Sequence, residues 1–515
     1  MSSGFAPSAS SDDAPRKINI LTFNCWGLKF ISKYRRERLL EIGRRLAQSE
    51  YPPEIVGLQE CWTQEDYHNI RKETREILPY GKFYFSGIFG GGLAILSKWP
   101  IEESSMFPYP LNGRPSAFYR GDWYVGKGVA SARIRIGQGS KDIVDVFCTH
   151  LHAPYEKEPH DSYLCHRTAQ AWEIAKMMRA SSEKGHLVIG LGDFNMLPLS
   201  FAHRLITSHA PVVDVWRSLH PDSSIGAAVD PVEMARGKPV PSGDFNILEN
   251  GATCDGIFNT WRWSKSLQKQ LGKENIVVEG SLPDPLGKRL DYIFVSDSQF
   301  GGSGTPCKWN VESTRVGMME RHPVLRCSLS DHFAVEATIV REAARSLESV
   351  EEEGASFLPI QKHMESIYSA TPTSPTLPSA PALSPLQTPQ RKPTIQGDIY
   401  DQILQMISTY RNRELFQRRA RLGHFIASIF ISIACFVGVW WSPYPFVSFI
   451  LCFVSTLNFG AGIIDGLIGG LFVSSELRAL KEFEWEVRNA RRTTLGLGLD
   501  IEEDLASPSR TQWFS

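Results

Sequence analysis

Five short polar motifs stand in order along the chain: Asn24-Cys25-Trp26-Gly27, Leu58-Gln59-Glu60, Thr149-His150-Leu151-His152, Gly192-Asp193-Phe194-Asn195 and Ser330-Asp331-His332. Asp291, within Leu290-Asp291-Tyr292, falls between the last two. Together these residue types meet the needs of metal-assisted phosphodiester hydrolysis. A hard divalent cation takes oxygen ligands, which Glu60, Asn24 and Asp331 can supply. In-line attack on phosphorus needs a base for water, and His332 fills that role with Asp291 orienting its other ring nitrogen. Charge building on the phosphoryl oxygens needs donors, available from His150, Asn195 and the metal. Singly each motif is weak, because Asp-x-Asn after a strand is usually a turn and a lone histidine is more often a satisfied buried side chain. The ordered series is what points to a site.

Something must hold these groups together, and the hydrophobic pattern shows what. Apolar runs of strand length occur at Ile18–Phe23, Glu54–Leu58, Gly92–Ser97, Ile143–Cys148, Leu187–Leu191, Leu290–Val295 and Phe333–Val340. Asn24, Glu60, His150 and Asp193 follow the C-terminal ends of such runs, while Asp291 and Asp331-His332 open others. Polar groups at strand ends can converge on one rim of a sheet while their backbones stay paired. Leu39, Ile42 and Leu46 lie at helical spacing between the first two runs, so sheet and helix are expected to pack in layers as an α/β domain over residues 17–340.

The 515 residues leave room for roughly three units at ~150 residues each. Lys and Arg number 55 against 56 Asp and Glu, so no global basic field exists to gather nucleic acid. Nine cysteines without C-x-x-C spacing read as reduced thiols rather than a disulfide framework or a zinc site. Residues 1–16 are small, polar and lack the apolar core of a secretory signal, and they are expected to be disordered. Residues 341–395, Glu-rich and then Pro/Ser-rich, are expected to be a linker.

Residues 396–421 then read as an amphipathic basic helix. Leu422–Trp441 is a stretch of 20 uncharged residues, long enough at ~1.5 Å per residue to cross a ~30 Å hydrocarbon core. Ser442-Pro443-Tyr444-Pro445 turns the chain, and 446–473 returns as a second apolar run with Asp465 as its one charge. Basic residues at Arg411–Arg421 and in the 474–515 tail flank the two spans, which places both flanks on the cytosolic side by the positive-inside rule. No later segment is expected to contribute to the α/β core, so a chain ending near Val340 should be soluble.

The set N-C-W-G, L-Q-E, T-H-L, G-D-F-N, L-D-Y-I and S-D-H, in this order over 17–340, resembles the endonuclease/exonuclease/phosphatase superfamily. Within it the chain looks most like neutral sphingomyelinases, and closest to the fungal inositol phosphosphingolipid phospholipase C group. His150-Leu151-His152-Ala153-Pro154-Tyr155, Cys254-Asp255, Asn259-Thr260-Trp261 and the C-terminal hairpin carry that closer likeness.

The resemblance implies a four-layer α/β sandwich followed by a two-helix transmembrane hairpin, and Mg²⁺-dependent cleavage of phosphosphingolipids to ceramide. It implies Glu60 as principal Mg²⁺ ligand with Asn24 near the metal and phosphate, and Asp193 and Asn195 positioning phosphate and leaving oxygen. His332 would be general base paired with Asp291. Either His150 or His152 could contact the phosphate, and His150 is favoured because it directly ends its strand.

Gly121–Gly128 is no nucleotide loop, because Gly128 stands where Ser or Thr must follow the lysine and a strand, Val129–Ile136, comes next. In the resembling family this stretch is tied to activity, so Lys127 could meet a lipid phosphate or simply sit in a solvated hairpin. The aromatic segment 106–125 reads as part core and part bilayer-interface loop. The basic flanks could recruit an anionic phospholipid as activator or only set topology. A nuclease or deadenylase of the same superfamily is the alternative function, disfavoured by the hairpin and the balanced charge. The endoplasmic reticulum is the expected membrane, with the mitochondrial outer membrane and plasma membrane as alternatives.

Overall fold

The computed structural model describes residues 14–139, 142–156, 161–296, 299–300, 307–343 and 397–496. The expected disordered N-terminus before residue 14, the linker from residue 344 and the tail beyond residue 496 lie outside the described residues.

Two sheets form the centre. The first has the spatial order β11 (Gln299–Phe300), β12 (Cys307–Gly317), β13 (Ala334–Ala343), β1 (Lys17–Asn24), β2 (Ile55–Gln59), β4 (Leu93–Ser97), β3 (Tyr80–Tyr84). The second has the order β5 (Ile101–Pro108), β6 (Gly128–Arg135), β7 (Ile143–His150), β8 (Leu187–Asp193), β10 (Asp291–Ser296), β9 (Val212–Asp214). Their inner faces share one core, in which Ile18, Ile20, Ile55 and Ile95 meet Ala132, Val146, Ile189 and Ile293. Helices α1 (Arg35–Ala47) and α2 (Gln64–Thr74) cover the outer face of the first sheet through Leu39, Ile42, Leu46 and Ile70. Helices α3 (Leu164–Glu183) and α4 (Phe201–His209) cover the second through Trp172, Met178, Leu205 and Ile206. This is the four-layer sandwich. The seven strands read from the sequence are present to within three residues at each end, close to the usual uncertainty of a boundary.

Beyond it, the amphipathic and first apolar segments are one continuous helix of 44 residues, Gly397–Trp440. The return helix Pro445–Leu467 starts with proline at its first turn, where no backbone donor is needed. A π-helical turn, Ile468–Phe472, leads into a last helix, Val473–Thr494. Among the described residues, two helices are thus long and apolar enough to cross a membrane, and their apolar stretches carry exposed Phe430, Phe436, Phe449 and Phe453. Trp440, Trp441 and Tyr444 stand exposed at the hairpin tip, as suits rings at a bilayer interface.

The structure corrects one expectation here. Ile399, Tyr400, Ile403, Ile407 and Tyr410 of the long helix, with Leu480, Phe483 and Val487 of the last, are buried in the same cluster as Trp172 of α3. Polar pairs fasten this seam: Trp172 Nε1 donates to Glu486 Oε2 at 2.9 Å, and Arg114 meets Glu414 at 3.4 Å with both side chains buried. The C-terminal helices are therefore a fifth layer rather than free basic segments, and a chain ending near Val340 would bare the apolar face of α3. Accordingly, Ile403→Asp in the full chain is expected to cost about 3 kcal/mol or more, since it sets an unpaired charge in that seam. Thermal unfolding in detergent checks this, and an unchanged midpoint would show the seam to be loose.

Candidate active site

Register brings the motifs together. β1 and β2 run parallel with Asn24 opposite Gln59, so Glu60 emerges beside Asn24. In the second sheet His150 pairs with Asp193 and Asp193 with Asp291, three neighbouring strands in one row. β13 lies antiparallel to β1, with Val335 opposite Thr22, which returns His332 to the Asn24 end. Local turns complete the placement: Asn24 Oδ1 accepts from the N–H of Trp26 at 3.0 Å, and Asp193 Oδ1 from that of Asn195 at 2.9 Å. Such side-chain turns end a strand while leaving the second polar atom free to point into the site. Trp26, Glu60 and Asn195 all hold positive φ, a strained backbone that clusters at functional sites.

Asn24 Nδ2 donates to Asp193 Oδ2 at 3.0 Å and to Glu60 Oε1 at 3.3 Å, linking the two sheets at the centre. His332 Nδ1 lies 2.8 Å from Asp291 Oδ2, and its Nε2 lies 3.9 Å from Asp193 Oδ2. His150 Nε2 approaches the same Asp193 oxygen at 3.4 Å. Asn195 Nδ2 donates to the carbonyl of Leu151 at 3.1 Å. Lys127 is buried, its ammonium donating to the carbonyls of His150 and Leu151 at 3.3 and 3.2 Å, so it belongs to this cluster and not to a solvated hairpin.

The electrostatics follow from crowding charge out of water. Burial, reinforced by the facing Asp331 carboxylate, pushes the Glu60 carboxyl up to about 7. Burial pushes Asp193 to about 6, with His332 opposing. Burial disfavours the His332 imidazolium, yet Asp291 and Asp193 hold its pKa well above the ordinary histidine value. His150 is held well below that value by burial and the Lys127 charge, so it stays neutral.

His152 is not in this cluster. Fully buried, its Nε2 accepts from the N–H of Gly113 at 2.7 Å and its ring stacks on Tyr163 at 4.9 Å. Its pKa falls to about 3 through burial, and its ring ties the loop at Gly113 to the strand end.

One contributor escaped the sequence. Arg38 of α1 is completely buried and donates to the carbonyls of Cys25 (3.2 Å), Trp26 (2.8 Å) and Leu329 (2.6 Å), tying together the two loops that carry Asn24 and His332. Its guanidinium also stacks on Trp26 at 4.7 Å. The available signal was its position four residues before Ile42, on the stripe that faces the core. Ser330 adds a second tie, its hydroxyl donating to the carbonyl of Asn24 at 2.6 Å.

The residues fit a divalent cation. Glu60 Oε2, Asp291 Oδ1 and His150 Nδ1 are buried without a hydrogen-bond partner, which is costly unless something charged or polar completes them. Among the described residues, Asp193, Asp291 and His332 bring ligand-type atoms within 4.8 Å of one another. Glu60 and Asp331 offer a second set of carboxylate oxygens beside Asn24, whose own Oδ1 accepts from the Trp26 N–H.

The model of the Endonuclease/Exonuclease/phosphatase family matches residues 21–332. The chain belongs to this family. The inositol phosphosphingolipids phospholipase C of Schizosaccharomyces pombe is 37% identical over 94% of this chain and 96% of its own length. Its namesake in Saccharomyces cerevisiae is 33% identical over 93% and 91%. Human sphingomyelin phosphodiesterase 2 is 36% identical over 63% of this chain and 64% of that protein. The matched span begins in β1 and ends at His332, so it takes in every motif of the cluster.

Proposed function

We propose that this phosphoric diester hydrolase is a membrane-anchored, Mg²⁺-dependent phospholipase C that cleaves inositol phosphosphingolipids, and sphingomyelin as a second substrate, to ceramide and a phosphorylated head group. The observation that carries this is the likeness to the Schizosaccharomyces pombe enzyme along 94% of the chain, a span too long to leave out the hairpin.

Glu60, with Asn24 and Asp331, would hold Mg²⁺. Bound there, the ion would supply charge against the phosphoryl oxygens and offset the carboxylate field around His332. His332, oriented by Asp291, accepts the proton of the attacking water at Nε2. Neutral His150, together with Asn195 and Lys127, donates to phosphoryl oxygens as their charge grows. Asp193, held by Asn24, positions the phosphate and the leaving oxygen.

Both ends of the hairpin return to the α/β domain, so domain and flanks share one side of the membrane, which the basic flanks make the cytosolic side. The endoplasmic reticulum is the proposed membrane, and an anionic phospholipid the proposed activator. The test is hydrolysis by the purified full chain of inositol phosphoceramide, sphingomyelin, a lysophospholipid and single-stranded nucleic acid, with Mg²⁺ or a chelator. Ceramide release that requires Mg²⁺ is expected. Faster cleavage of the nucleic acid would overturn the reading in favour of a nuclease.

A further inference from the structure

The long C-terminal helix runs antiparallel to α3, and that direction fixes which end of the sandwich meets a bilayer. Tyr400 lies against Trp172 (6.3 Å between rings), Tyr410 against His166 (5.1 Å), Glu414 meets Arg114, and Arg421 donates to the carbonyl of Ser116 at 3.0 Å. Leu164, where α3 begins, follows the strand that ends in His150, so the helix climbs toward the rim that carries the site. The apolar stretch starts one residue past Arg421. On the return, Phe472 packs on Trp123 of the rim at 4.6 Å. A membrane entered by this hairpin lies level with the mouth of the site.

Across the mouth, on the side of the first sheet, stands the β1–α1 loop, Lys29-Phe30-Ile31-Ser32-Lys33-Tyr34. Phe30 is 92% and Ile31 72% exposed, and Tyr34 is exposed as well. The loop is held rather than loose. The Ser32 N–H and hydroxyl both donate to the carbonyl of Leu28 (3.1 and 2.7 Å), and buried Arg38 donates to the carbonyl of Lys33 at 2.8 Å. Two large apolar side chains are thus presented to solvent at a tip whose exposed flanks, Lys29 and Lys33, have no carboxylate partner among the described residues. Several basic residues near the hairpin are engaged: Arg421 pairs with Asp465, Arg488 with Glu484 at 2.7 Å and Arg491 with Asp401 at 3.0 Å.

We propose that the β1–α1 loop is a second membrane contact, opposite the hairpin, in which Phe30 and Ile31 enter the interface while Lys29 and Lys33 take anionic lipid head groups. The site then opens between two points of attachment, and the loop joins the bilayer to Asn24, five residues before Lys29. Apolar tips flanked by lysines suit an interface in which rings sit among head groups and each cation gains from an anionic leaflet. This inference rests on the hairpin being the membrane anchor.

The full chain is reconstituted in phosphatidylcholine vesicles, with and without phosphatidylserine, containing the phosphosphingolipid. Lys29→Gln/Lys33→Gln is expected to abolish the activation by phosphatidylserine and its decline with salt, leaving activity in neutral vesicles unchanged. Phe30→Ser/Ile31→Ser is expected to lower vesicle activity at least tenfold and leave activity on detergent-dispersed substrate within twofold. Retained phosphatidylserine activation in the lysine pair overturns the charge assignment, and an equal loss in vesicles and detergent overturns the interfacial one. A readout independent of turnover is a photoreactive benzoylphenylalanine at position 30. Its cross-linking to phospholipid supports the contact even if the chain cleaves none of the lipids tested. Flotation with vesicles without such cross-links overturns it while leaving the anchor intact.

Discussion

Glu60→Gln is expected to lower Mg²⁺-dependent turnover by about three orders of magnitude while raising the melting temperature of the metal-free protein. Both effects come from one side chain. Glu60 is half-buried between Asn24 and Asp331, its buried Oε2 has no hydrogen-bond partner, and its carboxyl is pushed up to about 7 because the charged form is poorly solvated there. Glutamine keeps the shape and can still accept from Asn24 Nδ2, yet removes a charge that costs the folded state free energy at pH 8. What it loses is the anionic oxygen for the cation, whose charge stabilisation is worth several kcal/mol, and each ~1.4 kcal/mol is a factor of ten in rate. Unfolding in chelator should therefore favour the variant, and addition of Mg²⁺ should raise the midpoint of the wild type alone. Turnover within tenfold of wild type, or an equal shift of both proteins by Mg²⁺, would remove Glu60 from the metal site.

Most of the strands that position the site were legible because β2, β4, β7, β8 and β10 are buried on both faces. Runs such as Ile55–Gln59 and Leu187–Asp193 have no exposed residue, so they read as continuous apolar segments with a polar candidate site residue, Glu60 or Asp193, at or just past the end. The strands not read are different in kind. β5, with the sequence IEESSMFP, is mostly exposed at the edge of its sheet, and β12 carries Lys, Asn, Glu and Arg along its length. Their strand state comes from pairing with β6 and β13, which local pattern does not encode. Arg38 was hidden for a related reason: a buried cation is a tertiary fact, made tolerable by the carbonyls of Cys25, Trp26, Lys33 and Leu329.

The docking of the C-terminal helices shows the same limit from the other side. An amphipathic stripe through Ile399, Ile403 and Ile407 announces that something covers it without saying what. The complementary signal sits in α3, where Cys165, Trp172 and Met178 alternate with buried His166, Thr168 and Gln170 so that nearly the whole circumference is covered. A helix buried all round needs packing on two sides. The sheet supplies one and the C-terminal helices the other. Separate readings of the two segments gave a free tether, whereas the pair implies a mount. The polar contacts Arg114–Glu414 and His166–Glu476 set its angle to the site.

For the proton-transfer pair the expected result is a split between chemistry and binding. His332→Ala should lower kcat by about 10²–10⁴-fold, the usual worth of a positioned base, with the fold retained because the ring stands at the site rather than in an apolar core. Asp291 acts through His332: its Oδ2 lies 2.8 Å from Nδ1, on the opposite side of the ring from the Nε2 that faces Asp193. Asp291→Asn can keep that hydrogen bond through its amide oxygen, but it withdraws the negative charge that stabilises the imidazolium formed as water gives up its proton. Its kcat should therefore fall strongly while KM stays near the wild-type value, and the double variant should lose little beyond His332→Ala alone, as expected for residues acting as a unit. Steady-state kinetics on detergent-dispersed substrate distinguish the cases without interference from membrane binding. A change confined to KM in Asp291→Asn would mean that this carboxylate holds substrate, and multiplicative losses in the double variant would mean that Asp291 serves the site by a route other than His332.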